Sequence, residues 1–338
     1  MKKNKLLKST IILIIGGFIT KILGMIIKII MTRLLGDEGI GLYMLILPTF
    51  TLFIGLAQLG MPVAISKLVS ENTKDNKNII FISTIISFSI NLLIILFLIL
   101  SSKFISYNLI HESRTYYALI SIGLVLPFIS ISNIIRGYFF GKEKMIPHVV
   151  SNICEDLVRL IIIILGVPFF LKKGIEFAVA FVVLSNIISE LTSTIILLFF
   201  APKNMKITKK DLKFNINNVK DILSISLPTT GSRLIGSIGY FLEPIIITQV
   251  LLNIGYSNKF IIAEYGIING YVMPLLLLPS FFTLAISNAL LPIVSSSYVK
   301  KNYKYIKIKI KQAILFSLII GVPCTILFII KPDILLKF

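Results

Sequence analysis

The chain has 338 residues, 56% of them hydrophobic and only 14% charged, with a mean hydropathy of +0.94 and a net charge of +19. That balance excludes a soluble globular protein, since water alone would not keep such a chain in solution. Two cysteines, Cys154 and Cys324, both in apolar surroundings, give no support to a disulfide scaffold or a thiolate metal site.

Met1 to Lys8 is basic and leads into an apolar segment that resembles a secretory leader. The segment is too long for one, is punctuated by Lys21 and Lys28, and lacks a small-residue cleavage site, so we read it as a retained first transmembrane helix over about 9–33. Further helices are predicted at about 40–66, 79–101, 115–139, 147–171, 175–200, 221–252, 262–297 and 312–330. Ile79 to Ser102, Thr115 to Ile135, Tyr265 to Val299 and Gln312 to Ile330 contain no charge at all, and about 20 apolar residues suffice to cross a hydrocarbon core about 30 Å thick. A β-barrel would read as short alternating segments, and these runs are continuous. The expected fold is therefore all-α: a polytopic transmembrane bundle of about nine helices.

Most connections are short and polar, and the longest is the basic stretch after Pro202. This divides the chain into an N-terminal six-helix lobe (1–202), a basic cytoplasmic linker (203–220) and a partial C-terminal lobe with three helices (221–338). Lysine and arginine crowd the segments that an N-inside topology places in the cytoplasm: Lys2 to Lys8, Lys67 to Lys77, Lys142 and Lys144, Lys203 to Lys220, and Lys300 to Lys311. Basic loops are retained inside, so the expected location is the cell membrane, multi-pass, with a cytoplasmic N-terminus. The charge clusters at helix ends and is read as topogenic rather than as a nucleic-acid surface.

A weak internal repeat accompanies this topology. Thr20-Lys21-Ile22-Leu23-Gly24 resembles Ser232-Arg233-Leu234-Ile235-Gly236, and Ala64-Ile65-Ser66 is echoed by Ala285-Ile286-Ser287. The first and seventh helices then run in the same direction, as in a parallel repeat about the membrane normal.

A charge at membrane depth costs about 2.5–3.5 kcal/mol on insertion scales and usually faces a cavity or a partner. Lys21 lies three helical turns beyond Ser9, about 18 Å along the axis and near the midplane. Arg233 reaches a similar depth in the repeat-related helix, and we read both as facing a cavity. Lys28 shares nearly the same face as Lys21 and extends the cationic stripe, or snorkels to the interface as Arg33 does. Glu155 and Arg159 are spaced for an intrahelical ion pair, and Asp156 shares Arg159. Glu190 and Glu243 are lone carboxylates in apolar runs; each can bind a coupling cation or proton, or equally serve as a counter-ion to a neighbouring helix. Pro244, next to Glu243, permits a helix break, and Pro48, Pro62, Pro127, Pro228, Pro274, Pro279 and Pro292 mark further bends. His111 and His148 lie near helix ends and form no metal spacing. The chain has no catalytic constellation, nucleotide-binding loop or cofactor signature, so no enzyme activity, metal or cofactor is expected.

Three motifs carry a family resemblance: Arg33-Leu34-Leu35-Gly36-Asp37-Glu38-Gly39-Ile40-Gly41-Leu42-Tyr43, Leu59-Gly60-Met61-Pro62-Val63-Ala64-Ile65-Ser66-Lys67 and Arg136-Gly137-Tyr138-Phe139-Phe140-Gly141. With them the chain resembles the stage V sporulation protein B family of polysaccharide exporters, of the multidrug/oligosaccharidyl-lipid/polysaccharide superfamily, which is similar to the MurJ lipid II flippases. The resemblance implies two six-helix lobes around a central cavity, alternating access, and export of a lipid-linked cell-wall precursor. Members usually have about 12–14 helices, so the second of the two repeat-related lobes looks truncated here. On this basis the chain is expected to be a flippase for a polyprenyl-diphosphate-linked sugar such as lipid II, working among membrane lipids. Lys21, Lys28 and Arg233 would neutralise the diphosphate. The alternative is a cation-coupled multidrug antiporter of the same superfamily, using Glu190 or Glu243.

Overall fold

The computed structural model describes residues 2–71, 76–202, 215–277 and 301–330, with single positions between 279 and 297, and side chains from Ile12 onward. Every regular element among the described residues is helical. Helix α1 spans Lys2–Gln58, 57 residues. At about 1.5 Å per residue a straight rod of that length would measure about 86 Å, nearly three bilayer cores, so the element must turn. It turns at Gly36, whose φ of 68° and ψ of −179° suit only a residue without a Cβ. The first two predicted spans are thus the two arms of one kinked element.

The second predicted span is itself broken. Leu59 and Gly60 take φ of 44° and 58°, and α2 (Met61–Glu71) restarts with Pro62 in its first turn, where the missing N–H is tolerated. Beside the break, the Ala57 carbonyl accepts from Ser130 Oγ at 3.1 Å and Asn91 Nδ2 at 3.4 Å. Neighbouring helices so supply donors where the helical ladder ends.

Helix α3 (Asn76–Phe104) continues into a π-helical turn, Ile105–Leu109. After a 3₁₀ turn at Ser113–Thr115 come α4 (Tyr116–Gly141), α5 (Met145–Leu171) and α6 (Ile175–Phe199). Helix α7 (Ile216–Asn253) and α8 (Asn258–Gly266) follow, and α8 passes through a π-helical turn, Ile267–Val272, into the single turn α9 (Met273–Leu276). Helix α10 covers Tyr303–Ile330, beginning before the predicted start at 312 because no breaker interrupts the lysine-rich lead-in. Residues 203–214 of the expected linker, most of the eighth predicted helix beyond Leu277, including Ala285 and Ser287 of the repeat, and residues 331–338 lie outside the described residues.

Helices α5 and α6 lie together against α1 and α4, α2 and α3 flank α4, and α7 and α8 pack on α1. Their crossings are close because glycines stand at them. A Cβ on Gly137 would lie 3.0 Å from Pro62 Cα, and one on Gly141 2.7 Å from the Ser66 carbonyl, so one face of α4 lies directly on the α2 backbone. A Cβ on Gly266 would lie 2.6 Å from Gly41 Cα, which brings α8 equally near the second arm of α1.

Six helical segments among the described residues are long and apolar enough to cross a membrane. Their outward faces are apolar, with Phe199 83% and Leu100 74% exposed, while Ser87, Asn91, Ser130, Ser132, Ser189 and Ser193 are buried. A soluble protein hides its large apolar side chains and displays its polar ones. The reverse arrangement here is that of a helix bundle solvated by lipid, with small polar residues at its helix contacts. The chain is therefore an all-α, multi-pass membrane protein.

Candidate functional site: a buried charge cluster beside a cationic cavity

Arg136 lies on the buried face of α4, next to the Gly137 and Gly141 contact with α2. Only 8% exposed, it reaches two further helices at once. Its Nη2 donates to Glu155 Oε2 of α5 at 2.5 Å and to Ser193 Oγ of α6 at 2.7 Å, and lies 3.5 Å from Glu190 Oε2. Ser132 Oγ, one turn before Arg136 on α4, donates to that Glu190 oxygen at 2.5 Å. Glu155 shares its other oxygen with Arg159, whose Nη2 donates to it at 2.5 Å; Arg159 also lies 3.6 Å from Asp156 and 3.4 Å from Ser189 Oγ. Three helices are so joined by two guanidinium groups and three carboxylates in an apolar interior. Each charge has an opposite partner, which is the condition for holding ions at membrane depth.

Arg159 has a second environment. With Lys28, Tyr43, Asn186, Gly24 and Ile163 it lines a cavity of about 210 Å³ between both arms of α1, α5 and α6. Both charged side chains in its wall are cations, and no carboxylate lines it. Lys28 Nζ donates to the Asn269 carbonyl at 2.7 Å. The covalent structure accounts for this acceptor. In the π-helical turn the Ile268 carbonyl takes the N–H five residues on, from Met273, and in that register Asn269 faces Pro274, which has no N–H. Lysine at 28 fills the vacancy and ties the first arm of α1 to the α8 segment.

Toward the end of the bundle that carries the Gly36 kink, a second set of polar contacts pins the loops. Arg114 Nη1 donates to Glu38 Oε1 at 2.6 Å and Arg114 Nε to Glu112 Oε1 at 2.8 Å; Tyr271 Oη donates to Asp37 Oδ1 at 2.9 Å. Asn258, the first residue of α8, donates to the His111 carbonyl. The acidic pair after Gly36 therefore anchors the kink to the α3–α4 connection and to the turn after α8.

The residues expected to act together are distributed over these features. Lys28 lines the cavity, half-buried. Lys21 and Arg233 lie outside it, on exposed faces of α1 and α7. Glu190 is 5% exposed and sits in the cluster against Arg136. Glu243 is half-buried on α7 and accepts from Tyr265 Oη at 3.3 Å. The expected Glu155–Arg159 pair forms, and the structure adds Arg136 to it. In the sequence Arg136 stands out only as part of a motif, although a charge inside the apolar run of α4 is itself a signal. The spacing favours an ion pair over substrate contact for Arg159, and nothing in it shows that Arg159 also faces a cavity. Cys154 and Cys324 form no disulfide, and no group of three or more metal-ligating side chains is placed to hold a metal among the described residues.

Comparison with known proteins agrees with this architecture. Residues 6–298 match the family described as "Polysaccharide biosynthesis protein". Stage V sporulation protein B of Bacillus subtilis is 37% identical over 99% of this chain and 67% of its own length. The lipid II flippase MurJ of the same organism is 24% identical over 96% of this chain and 64% of its own. The chain thus spans about two thirds of these curated relatives. Among solved structures, the inward-facing conformation of a multidrug resistance MATE family transporter of the MOP superfamily superposes with a TM-score of 0.70 at 16% identity, covering 91% of this chain and 69% of that one. Its outward-facing conformation gives 0.64, also at 16% identity, over 97% and 74%. At that identity the likeness is one of fold. With a family model matching most of its length and a relative 37% identical over 99% of it, this multi-pass membrane chain belongs to the polysaccharide biosynthesis protein family.

Proposed function

We propose that the protein is a flippase that carries a polyprenyl-diphosphate-linked sugar, such as lipid II, across the cell membrane by alternating access. The observation that carries this reading is the cavity beside Lys28, whose only charged wall residues are cations. Its volume of about 210 Å³ suits a diphosphate headgroup and lies below that of pockets enclosing drug-sized ligands, about 300–1,000 Å³. Lys28 supplies one neutralising charge there, and Lys21 and Arg233, on exposed faces of α1 and α7, supply others along the path between the bundles. The 24% identity to a lipid II flippase and the match to a polysaccharide biosynthesis family support the substrate class.

In this reading the chain runs N-inside, with a six-helix lobe over 1–202, a basic cytoplasmic linker over 203–220, and the first three helices of a repeat-related, truncated second lobe over 221–338. The two lobes rock about the substrate. The intact protein reconstituted in vesicles should translocate a fluorescent polyprenyl-diphosphate sugar, and Lys21→Gln with Arg233→Gln should slow translocation at least tenfold. Undiminished flipping by that double variant would remove both residues from the substrate path.

Glu243 favours one element of a second reading. Among the described residues it is ion-paired with none and accepts from the Tyr265 hydroxyl, so it offers a carboxylate to a coupling cation. In an organic-cation antiporter that carboxylate would bind the drug as well. A binding assay separates the readings: an anionic lipid should compete for the site and an organic cation should not.

A further inference from the structure

Arg159 stands between two features that the proposed function treats separately, the buried charge cluster and the cationic cavity. We propose that Arg159 is an exchangeable second cation of the diphosphate seat. With the seat empty it is held by Glu155, and an arriving diphosphate takes it from that carboxylate. The inference rests on the flippase reading and assigns its headgroup a specific seat and clamp: Arg159 on α5 facing Lys28 on α1.

Three observations support the exchange. Arg159 donates to Glu155 while lining the cavity, so its guanidinium needs no backbone movement to face either way. Its departure does not strand Glu155, which keeps Arg136 on its other oxygen at 2.5 Å, and costs Asp156 only a longer ion pair of 3.6 Å. Breaking a buried pair is costly chiefly when one ion is stranded, and the tighter of Arg159's two carboxylate partners, Glu155, is not. Guanidinium binds phosphate in the same forked geometry as carboxylate, so the replacement bond is of like strength. The opposing cation is equally exchangeable, since Lys28 rests on a neutral carbonyl, Asn269. The remaining wall leaves room: a Cβ on Gly24 would meet nothing within 4 Å.

The test is binding of undecaprenyl diphosphate to the intact protein in nanodiscs of zwitterionic lipid, with inorganic pyrophosphate as the soluble comparison and a melting curve for every variant. Arg159→Gln should weaken binding at least tenfold, and Arg159→Lys should restore part of it. Gly24→Leu should weaken binding comparably by filling the cavity without changing any charge. Glu155→Gln removes the competitor and should tighten binding severalfold, an effect opposite in sign to that of a merely structural role. Should Glu155→Gln not fold, Gly24→Leu together with the Gln and Lys variants at 159 decides the matter. Wild-type affinity in folded Arg159→Gln, or loss of affinity in folded Glu155→Gln, overturns the exchange while leaving the flippase reading standing. No binding by the wild-type protein overturns both. Equal affinity for pyrophosphate supports the seat and identifies the diphosphate, rather than the lipid tail, as the group recognised.

Discussion

Arg136 shows how much one side chain can decide inside a membrane. It satisfies Glu155 and Ser193 directly and lies within reach of Glu190, so α4, α5 and α6 meet at a single guanidinium. Arg136→Ala would leave Glu190 without its cation in an apolar interior, while Glu155 kept Arg159, a loss of about 3–5 kcal/mol by analogy with other broken buried pairs. Arg136→Lys should recover only part of it, because an ammonium lacks the planar fork that addresses two helices together. Thermal unfolding in detergent should rank wild type above Lys above Ala. The presence of these charges was legible in the sequence, and so was the i, i+4 pairing of Glu155 with Arg159. The pairing across helices was not, because Arg136, Glu155 and Glu190 lie on three separate segments whose rotation about their own axes no local pattern records.

At the scale of the element, glycines decide how near two helices come. Gly141→Leu would drive a side chain into the Ser66 carbonyl and Val69, separating α4 from α2. Overpacking of this kind costs about 1–3 kcal/mol. Gly17→Ala, also in a helix but with open space around its Cβ, should be neutral or gain about 0.5–1 kcal/mol from helix propensity. Melting temperatures of the two variants should move in different directions; equal destabilisation would dissociate the Gly141 contact from stability. Helix positions followed directly from the apolar runs. Their interruptions followed less well: Leu59-Gly60 breaks a run that reads as one span, although Gly followed two residues later by Pro is a turn signal in any other setting. The π-helical turn Ile267–Val272 had no signature beyond Pro274, since it is the Lys28 ammonium from a distant helix that satisfies the carbonyl there.

For the whole molecule, sidedness can be tested independently of substrate. In a background with Cys154→Ser and Cys324→Ser, a cysteine at Lys173 should react with a membrane-impermeant maleimide on intact cells. A cysteine at Lys142 should react only after permeabilisation. The reverse pattern would invert the N-inside topology and with it the direction of transport. The expected sidedness comes from the placement of lysine and arginine, because retention of basic loops acts on the linear chain during insertion.

The sequence by itself determined the solvent of this protein and the all-helical, multi-pass character of its bundle, since burying about 20 consecutive apolar residues in hydrocarbon is a property of a segment and needs no partner. It also revealed the family, through motifs whose glycines and charges could be quoted in order. Only the tertiary structure decided which charges meet. Lys21, Lys28 and Arg233 read alike along the chain, yet only Lys28 lines the cavity, and Arg159, read as half of a local pair, shares that wall with it. The physical reason is that a charge in a membrane acts through whatever lies within a few ångströms of it across helix contacts, and those contacts are set by glycines and kinks far away in sequence.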